Sequence, residues 1–236
     1  MEPKIPSPSH SAEKVVVVLS GGQDSATCLA LAVKRYGSEK VTAITFTYGQ
    51  RHAVEVLRAR ELVYLTWVAH IEQSIPLIDP TSALLNGGDV NAAHPHNADL
   101  PASFVRNRNA LFLTYAHSLA QSIGAQRIFM GVCETDYSGY PDCRKDFIDT
   151  LTAALNMGSN ASIEVETPLM FLTKADTFQM AEELGVLETI INHTHTCYNG
   201  DATHLHDWGY GCGECPACKL RAAGWEEYQT NKGIQA

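Results

Sequence analysis

An α/β fold, a parallel sheet flanked by helices with a small cysteine-rich subdomain near its C-terminal end, is what the hydrophobic pattern of this chain specifies. Three observations carry that expectation. Val15 to Leu19 is an unbroken β-branched and apolar run, as in a strand buried on both faces. Strand-like and helix-like segments then alternate, an order that right-handed crossovers turn into a parallel sheet. Four of the seven cysteines crowd between Cys197 and Cys218.

The elements follow in order. Ala26 to Tyr36 reads as a helix closed by Gly37 in a left-handed cap. Val41 to Tyr48 is a second strand, Ala53 to Trp67 has helical apolar spacing, and His70 to Pro76 reads as a short third strand. Asp79 to Pro101, rich in Asn, Asp, Gly, Pro and His, reads as a surface loop. Asn109 to Ile123 is a helix and Arg127 to Val132 a further buried strand. Lys145 to Asn156, Lys174 to Leu184 and Lys219 to Tyr228 are the later helices. Residues 1–14, with Pro3, Pro6 and Pro8, are expected to be a disordered leader. Residues 15–192 form the α/β domain, and 193–236 the metal-binding segment with the C-terminal helix.

At 236 residues, with 45% hydrophobic and 18% charged residues, the chain can bury a full core and does not have a disordered composition. Its net charge of −9 argues against direct nucleic-acid binding and against a membrane surface, both of which favour excess Lys and Arg. No apolar run approaches a membrane span and no signal-peptide core is present. Clustered cysteines fit a reduced compartment, so the expected location is the cytoplasm. Oligomeric state is not legible, and a homodimer stays open.

Ser20-Gly21-Gly22-Gln23-Asp24-Ser25 sits where the first strand ends and a helix begins. That position offers unpaired N–H groups and the positive end of a helix dipole, a ready anion site. Gly21 and Gly22 clear side chains from the backbone, and Ser20 and Ser25 add hydroxyls. Asp24 would repel phosphate if it pointed inward, and is better placed to hold Mg2+ or brace the loop. An ordinary strand-to-helix turn would explain the Gly and Ser alone. The segment is neither a Walker loop nor a dinucleotide fingerprint. It resembles the PP-loop, SGGxDS, of the ATP pyrophosphatases, which implies ATP use and a Rossmann-like PP-loop fold.

Cys197, Cys212, Cys215 and Cys218 form Cys-x14-Cys-x2-Cys-x2-Cys. Two-residue gaps let neighbouring thiolates turn onto one ion, and four thiolates close the shell of a single structural Zn2+. An iron–sulfur cluster is the rival, less favoured because no electron-transfer feature accompanies it. His193, His195, His204 and His206 are alternative ligands, though with four cysteines available a packing or surface role suits them better. Cys28 and Cys133 read as core residues.

The stretch from Gly131 to Arg144, together with Thr196-Cys-Tyr-Asn-Gly200 and Gly211 to Cys218, resembles the 7-cyano-7-deazaguanine synthase family of queuosine biosynthesis. Tyr48-Gly-Gln-Arg-His52, Glu166 to Met170 and Lys174 extend the similarity over most of the chain. The resemblance implies a ligase that uses ATP, Mg2+ and ammonia to turn 7-carboxy-7-deazaguanine into the nitrile through an adenylate and an amide. It places Leu19, Ser20, Gly21, Gly22, Gln23, Asp24, Ser25, Ala26, Thr27, Cys28 and Leu29 at ATP, with Arg51 and Arg108. It makes Asp24 and Lys174 catalytic, although a solvated first-turn lysine is equally common. It gives Glu134, Asp136, Tyr137, Ser138, Tyr140, Asp142 and Arg144 to the substrate, where a turn-rich loop packed by its tyrosines is the structural alternative.

Two departures stand out. Arg106 replaces the usual proline in Val105-Arg-Asn-Arg-Asn109. The segment between Cys197 and Cys212 is long, and is expected to be a loop extruded from the metal site. Competing readings are another PP-loop enzyme such as a tRNA thiolase, a nonenzymatic nucleotide- or zinc-binding protein, and a relative that stops at the amide. The acidic charge disfavours the first, and the intact loop, Lys174 and pocket motif disfavour the second.

Overall fold

The structure, a computed structural model, describes residues 13–50, 52–77, 79–134 and 140–235. In chain order, β1 (Val15–Val18) leads through α1 (Gln23–Tyr36), β2 (Val41–Thr47) and α2 (Val54–Thr66) to β3 (Ala69–Ser74). A short α3 (Ala83–Asn86) and the hairpin of β4 (Ala93–His94) and β5 (Asn97–Pro101) precede α4 (Arg108–Ile123) and β6 (Arg127–Met130). Next come α5 (Lys145–Ser159), β7 (Glu164–Glu166), α6 (Lys174–Glu183) and α7 (Leu187–His193). The hairpin of β8 (Leu205–His206) and β9 (Gly209–Tyr210) and the long α8 (Pro216–Gln235) follow.

Five parallel strands form the main sheet in the order β3-β2-β1-β6-β7. Val15 lies opposite Val41 on one side and Arg127 on the other, so β1 is central. From β1 the chain winds outward to β3, then returns to β1's other flank as β6. The crevice beyond the C-terminal ends of β1 and β6 is therefore the topological switch point, where open α/β sheets bind ligands.

The unbroken apolar run of β1 follows from its two buried faces. Val15 and Val17 pack into one apolar cluster with residues of α1, α2, α6, α7 and α8, such as Leu29, Leu62, Phe178, Ile190 and Tyr228. Val16 and Val18 face the other, with Phe112 and Leu113 of α4 and Ile148 of α5. Cys28 belongs to the first cluster, where burial pushes its thiol pKa up. Cys197, Cys215 and Cys218 belong to it as well, so the cysteine segment shares its core with the sheet.

Several local expectations need correction. Gly37 has φ 84° and ψ 148°, which is not the left-handed cap. The chain turns straight into a 3-10 turn at Ser38–Lys40, through a backbone region that is nearly glycine-only. The segment 79–101 is not a plain loop but carries α3 and the β4–β5 hairpin. β7 and α7 are additional elements. β7 is Glu-Val-Glu, with no apolar run to reveal it, and its charges suit a sheet edge. They find partners in Arg127, which pairs with Glu13, Glu164 and Glu166, and in Arg35, 2.8 Å from Glu166. Of the expected leader, residues 1–12 lie outside the described residues, while the backbone N–H of Lys14 donates to Gln126.

The segment from Asp79 to Arg106 is pinched at its root. The buried Asp79 carboxylate accepts the Arg106 backbone N–H at 3.0 Å, its guanidinium at 2.9 Å, and the Thr81 backbone N–H at 3.1 Å. A proline at position 106 would have no N–H to give. The departure at Arg106 thus supplies both halves of a bidentate clasp. Burial works to raise the Asp79 pKa, but the Thr81 hydroxyl, the Arg106 and Thr81 amides and the Arg106 charge together hold it below its ordinary value.

Asp79→Asn should cost about 1–3 kcal/mol near neutral pH, since it leaves a buried group poorly matched. Because the stabilising form is the ionised one, the wild-type advantage should shrink as pH falls through the depressed carboxyl range. Urea denaturation across pH measures both. A second test concerns the switch point, where a β-carbon on Gly131 would lie 2.8 Å from backbone atoms of Asp24 and Ser25. Gly131→Ala should lower stability by roughly 1–3 kcal/mol, and an unchanged urea midpoint would show that this contact yields freely.

Candidate active site

Between β1 and α1 the chain runs through Leu19 to Gly22 at the crevice, leaving the first N–H groups of α1 directed outward. The loop is braced from within. The Ser20 N–H donates to Ser25 Oγ at 3.1 Å, the Gly22 N–H to Ser20 Oγ at 3.3 Å, and Ser25 Oγ to the Gly22 carbonyl at 3.0 Å. Gly21 has φ 92°, and a β-carbon there would sit 2.1 Å from the Glu55 carbonyl oxygen. Only glycine fits both the dihedral and the approach. The His195 N–H donates to the Gly21 carbonyl at 2.9 Å, which ties the cysteine-rich segment to the loop.

Asp24 and Lys174 meet across the crevice, with Lys174 Nζ donating to Asp24 Oδ2 at 2.7 Å. The other oxygen, Asp24 Oδ1, is buried and has no partner among the described residues. A reciprocal capping box between Thr173 and Asp176 fixes the start of α6 and therefore Lys174. Gly224 of α8 lies behind it, where a β-carbon would come within 2.3 Å of Lys174 Cβ.

These groups line one end of a cavity of about 270 Å³. The other end carries Tyr48, Arg108, Tyr140 and Tyr198. Tyr140 is held there by Ser103, 2.7 Å from its hydroxyl, and contacts the Tyr198 hydroxyl at 3.2 Å. The Arg108 guanidinium lies over the Tyr140 ring, 5.8 Å from its centroid. Burial disfavours the Arg108 charge, but Tyr48, Tyr140, Asp142 and Cys143 outweigh it and raise the pKa, so the guanidinium stays cationic.

Of the sequence-predicted residues, the cavity brings together Leu19, Ser20, Gly22, Gln23, Asp24, Ser25, Arg108, Tyr140 and Lys174. Both polar atoms of the Gln23 carboxamide are buried without a partner among the described residues. Ala26, Thr27, Cys28 and Leu29 lie further along α1 and are buried away from the lining. Glu134 accepts the Lys145 N–H at 3.2 Å, and Asp142 accepts the Asn109 N–H at 3.0 Å at the start of α4. Both carboxylates thus brace helix starts, and Arg144 is exposed at the start of α5. Arg51, Asp136, Tyr137 and Ser138 lie outside the described residues.

Tyr198, His195, Arg221 and Glu55 also line the cavity. Tyr198 sits beside Cys197 within the Thr196–Gly200 motif. Buried His195 lines the cavity, and burial lowers its pKa. Arg221, 1% exposed, donates to the Ile190 carbonyl at 2.9 Å, and burial lowers its pKa to about 10. Glu55 stands in the first turn of α2, and burial pushes its carboxyl up to about 7, opposed by Arg108 and assisted by Cys197. Glu55 and Arg221 lie in helices with no motif of their own, so only the fold reveals them.

The sulfur atoms of Cys197, Cys212, Cys215 and Cys218 all lie within 4.8 Å of one another, with Cys212 and Cys218 4.0 Å apart. Tetrahedral thiolate coordination at about 2.3 Å implies a sulfur spacing close to this. The Cys212 N–H donates to Cys197 Sγ, and those of Glu214 and Cys215 to Cys212 Sγ, each at 3.4 Å. The donor set therefore fits one metal ion. The long segment between Cys197 and Cys212 is not extruded. It forms the β8–β9 hairpin and folds Trp208 back into the core, 4.4 Å from the stacked His206 ring. A β-carbon on Gly211 would come within 2.6 Å of Cys218 Sγ, so the hairpin returns tightly against the cluster.

The chain is 49% identical over 226 residues to a 7-cyano-7-deazaguanine synthase of Helicobacter pylori (strain Shi470), covering 93% of this chain and 98% of that one. It is 49% identical to the protein of that name from Wolinella succinogenes over 94% and 96%, and 47% identical to that of Alkalilimnicola ehrlichii over 92% and 95%. A structure of NMN synthetase from Francisella tularensis is a distant likeness, at 22% identity and a TM-score of 0.46 over 76% of this chain and 64% of that one. The family model described as queuosine biosynthesis protein QueC matches residues 14–229, and the chain belongs to that family.

Proposed function

We propose that this chain converts 7-carboxy-7-deazaguanine, ammonia and ATP into 7-cyano-7-deazaguanine. The observation that carries the reading is a single cavity joining the Asp24–Lys174 phosphate end to the Tyr48, Arg108, Tyr140 and Tyr198 end. An acyl adenylate needs such a site, with phosphate donors at one end and aromatic surface for a heterocycle at the other.

The chemistry follows from the groups present. The loop N–H groups and Lys174 meet the charge that builds on the α-phosphate as the substrate carboxylate attacks it, and pyrophosphate leaves. Because serine hydroxyls and glycines brace the loop internally, those donors need little rearrangement. Arg108, cationic and facing the aromatic end, holds a carboxylate or phosphate oxygen. Ammonia then displaces AMP to give the amide; the amide oxygen attacks a second ATP with release of pyrophosphate, and that oxygen leaves on AMP as the nitrogen gives up two protons to form the nitrile. Asp24, with one oxygen free of protein partners among the described residues, is the carboxylate suited to Mg2+, which would offset triphosphate charge. One Zn2+ on the four cysteines is structural, because four thiolates leave no open position. Thiolates that must stay reduced support a cytoplasmic location. No helix of the described residues is long and apolar enough to cross a membrane.

Incubation with ATP, Mg2+, ammonium and 7-carboxy-7-deazaguanine should yield the nitrile by mass spectrometry. Absence of substrate consumption by zinc-loaded protein would overturn the reading, and an amide end product would restrict it to the first half. Asp24→Ala should reduce substrate-dependent ATP–pyrophosphate exchange by about 100-fold or more while leaving the circular dichroism spectrum intact. Cys215→Ser should lose zinc and thermal stability together, read by metal analysis and calorimetry. Zinc retained at full stoichiometry would remove Cys215 from the ligand set.

A further inference from the structure

Two carboxylates line the cavity among the described residues, Asp24 and Glu55. They differ in what they face. Asp24 is engaged by Lys174 at 2.7 Å, whereas the Glu55 side chain makes no hydrogen bond or ion pair with any described residue. The cavity's cations, Lys174, Arg108 and Arg221, suit the anionic parts of ATP and a carboxylate substrate. A buried carboxylate that makes no ion pair is costly as the anion, so such a group takes up a proton or accepts a cation that enters the cavity.

Glu55's place narrows which cation that is. Its backbone carbonyl abuts Gly21 of the phosphate loop. Glu55 lines the same cavity as Tyr48, Arg108 and Tyr198, and its charge is felt at both tyrosines and favoured by Arg108. Glu55 thus joins the phosphate loop, through its backbone, to the cavity that the aromatic residues line. Tyr48 and Tyr198 add ring surface, which attracts small cations as well.

We propose that Glu55 is the docking site for the ammonium ion and the acceptor of its proton, releasing ammonia beside the activated carboxyl carbon. This rests on the nitrile-forming reading above. The balance is as follows. Ammonium gives one proton to the Glu55 carboxylate; the freed nitrogen lone pair forms the C–N bond; and the bond from that carbon to the AMP phosphate oxygen breaks, with its electrons leaving on AMP. One further proton leaves the nitrogen for solvent. Acyl adenylate and ammonium thus become amide, AMP and two protons, with no oxidant or reductant required.

The test is Glu55→Gln, close in size and neutral, with folding checked by circular dichroism and thermal melting. The variant should keep 7-carboxy-7-deazaguanine-dependent ATP–pyrophosphate exchange near the wild-type rate. Its KM for ammonium chloride should rise roughly ten- to hundredfold, and Glu55→Asp should recover part of the loss. Hydroxylamine, largely uncharged at neutral pH and so independent of a carboxylate, should trap the adenylate equally well in variant and wild type. Three results would overturn the assignment: an unchanged ammonium KM, a loss of exchange in a folded variant, or a raised KM for the deazaguanine alone. The last would make Glu55 a heterocycle contact. Failure of exchange in the wild-type protein would instead count against the function itself, so the two failures are separable.

Discussion

The loop from Leu19 to Ser25 is pressed from four remote parts of the chain, and the site depends on that crowding. Lys174 reaches Asp24 from α6, His195 donates to Gly21 from the cysteine-rich segment, Glu55 abuts Gly21 from α2, and Gly131 abuts Asp24 and Ser25 from the end of β6. Backbone can approach backbone this closely only where no β-carbon intervenes. The two glycines at these contacts, Gly21 and Gly131, therefore set the shape of the loop as much as the serines that bond within it. A loop held on all sides presents its N–H groups without rearrangement, which is the property that electrostatic catalysis uses.

The cysteine cluster takes its meaning from the same arrangement. Its sulfurs are gathered within one core that also contains α1 and β1 residues. The segment carrying Cys197 also brings His195, Thr196 and Tyr198 to the cavity wall, and α8 begins within the cluster and brings Arg221. A metal held by these four thiolates would brace the cavity wall, since a closed four-sulfur shell leaves no open position for a reactant. Trp208, carried between the strands of the β8–β9 hairpin, is buried in the same apolar cluster as Cys197, Cys215 and Cys218.

Charge is sorted along the cavity. Lys174, Arg108 and Arg221 are drawn from α6, α4 and α8, and their carboxylate counterparts are Asp24 and Glu55 from α1 and α2. The clasp of Asp79 and Arg106 lies outside this set. It closes the root of the segment that ends in Ser103, and Ser103 holds the Tyr140 hydroxyl. The Arg106 departure from the family pattern therefore acts on the site through packing, with its own guanidinium spent on Asp79.

The sequence alone determined what depends on local pattern. A five-residue apolar run, a Gly-Gly turn at a strand-to-helix junction and closely spaced cysteines are each short-range signals with one cheap physical solution. The sheet, its loop and the four-sulfur cluster were legible for that reason, and so was the family. Tertiary structure decided which side chains share a cavity. Glu55, His195 and Arg221 carry no local signature and become neighbours only through crossovers and the docking of α8. Conversely, Glu134, Asp142 and Arg144 lie in the most distinctive motif, yet the described residues place their side chains at helix starts or in solvent. A motif constrains a stretch of chain, and packing then determines which of its atoms face the ligand.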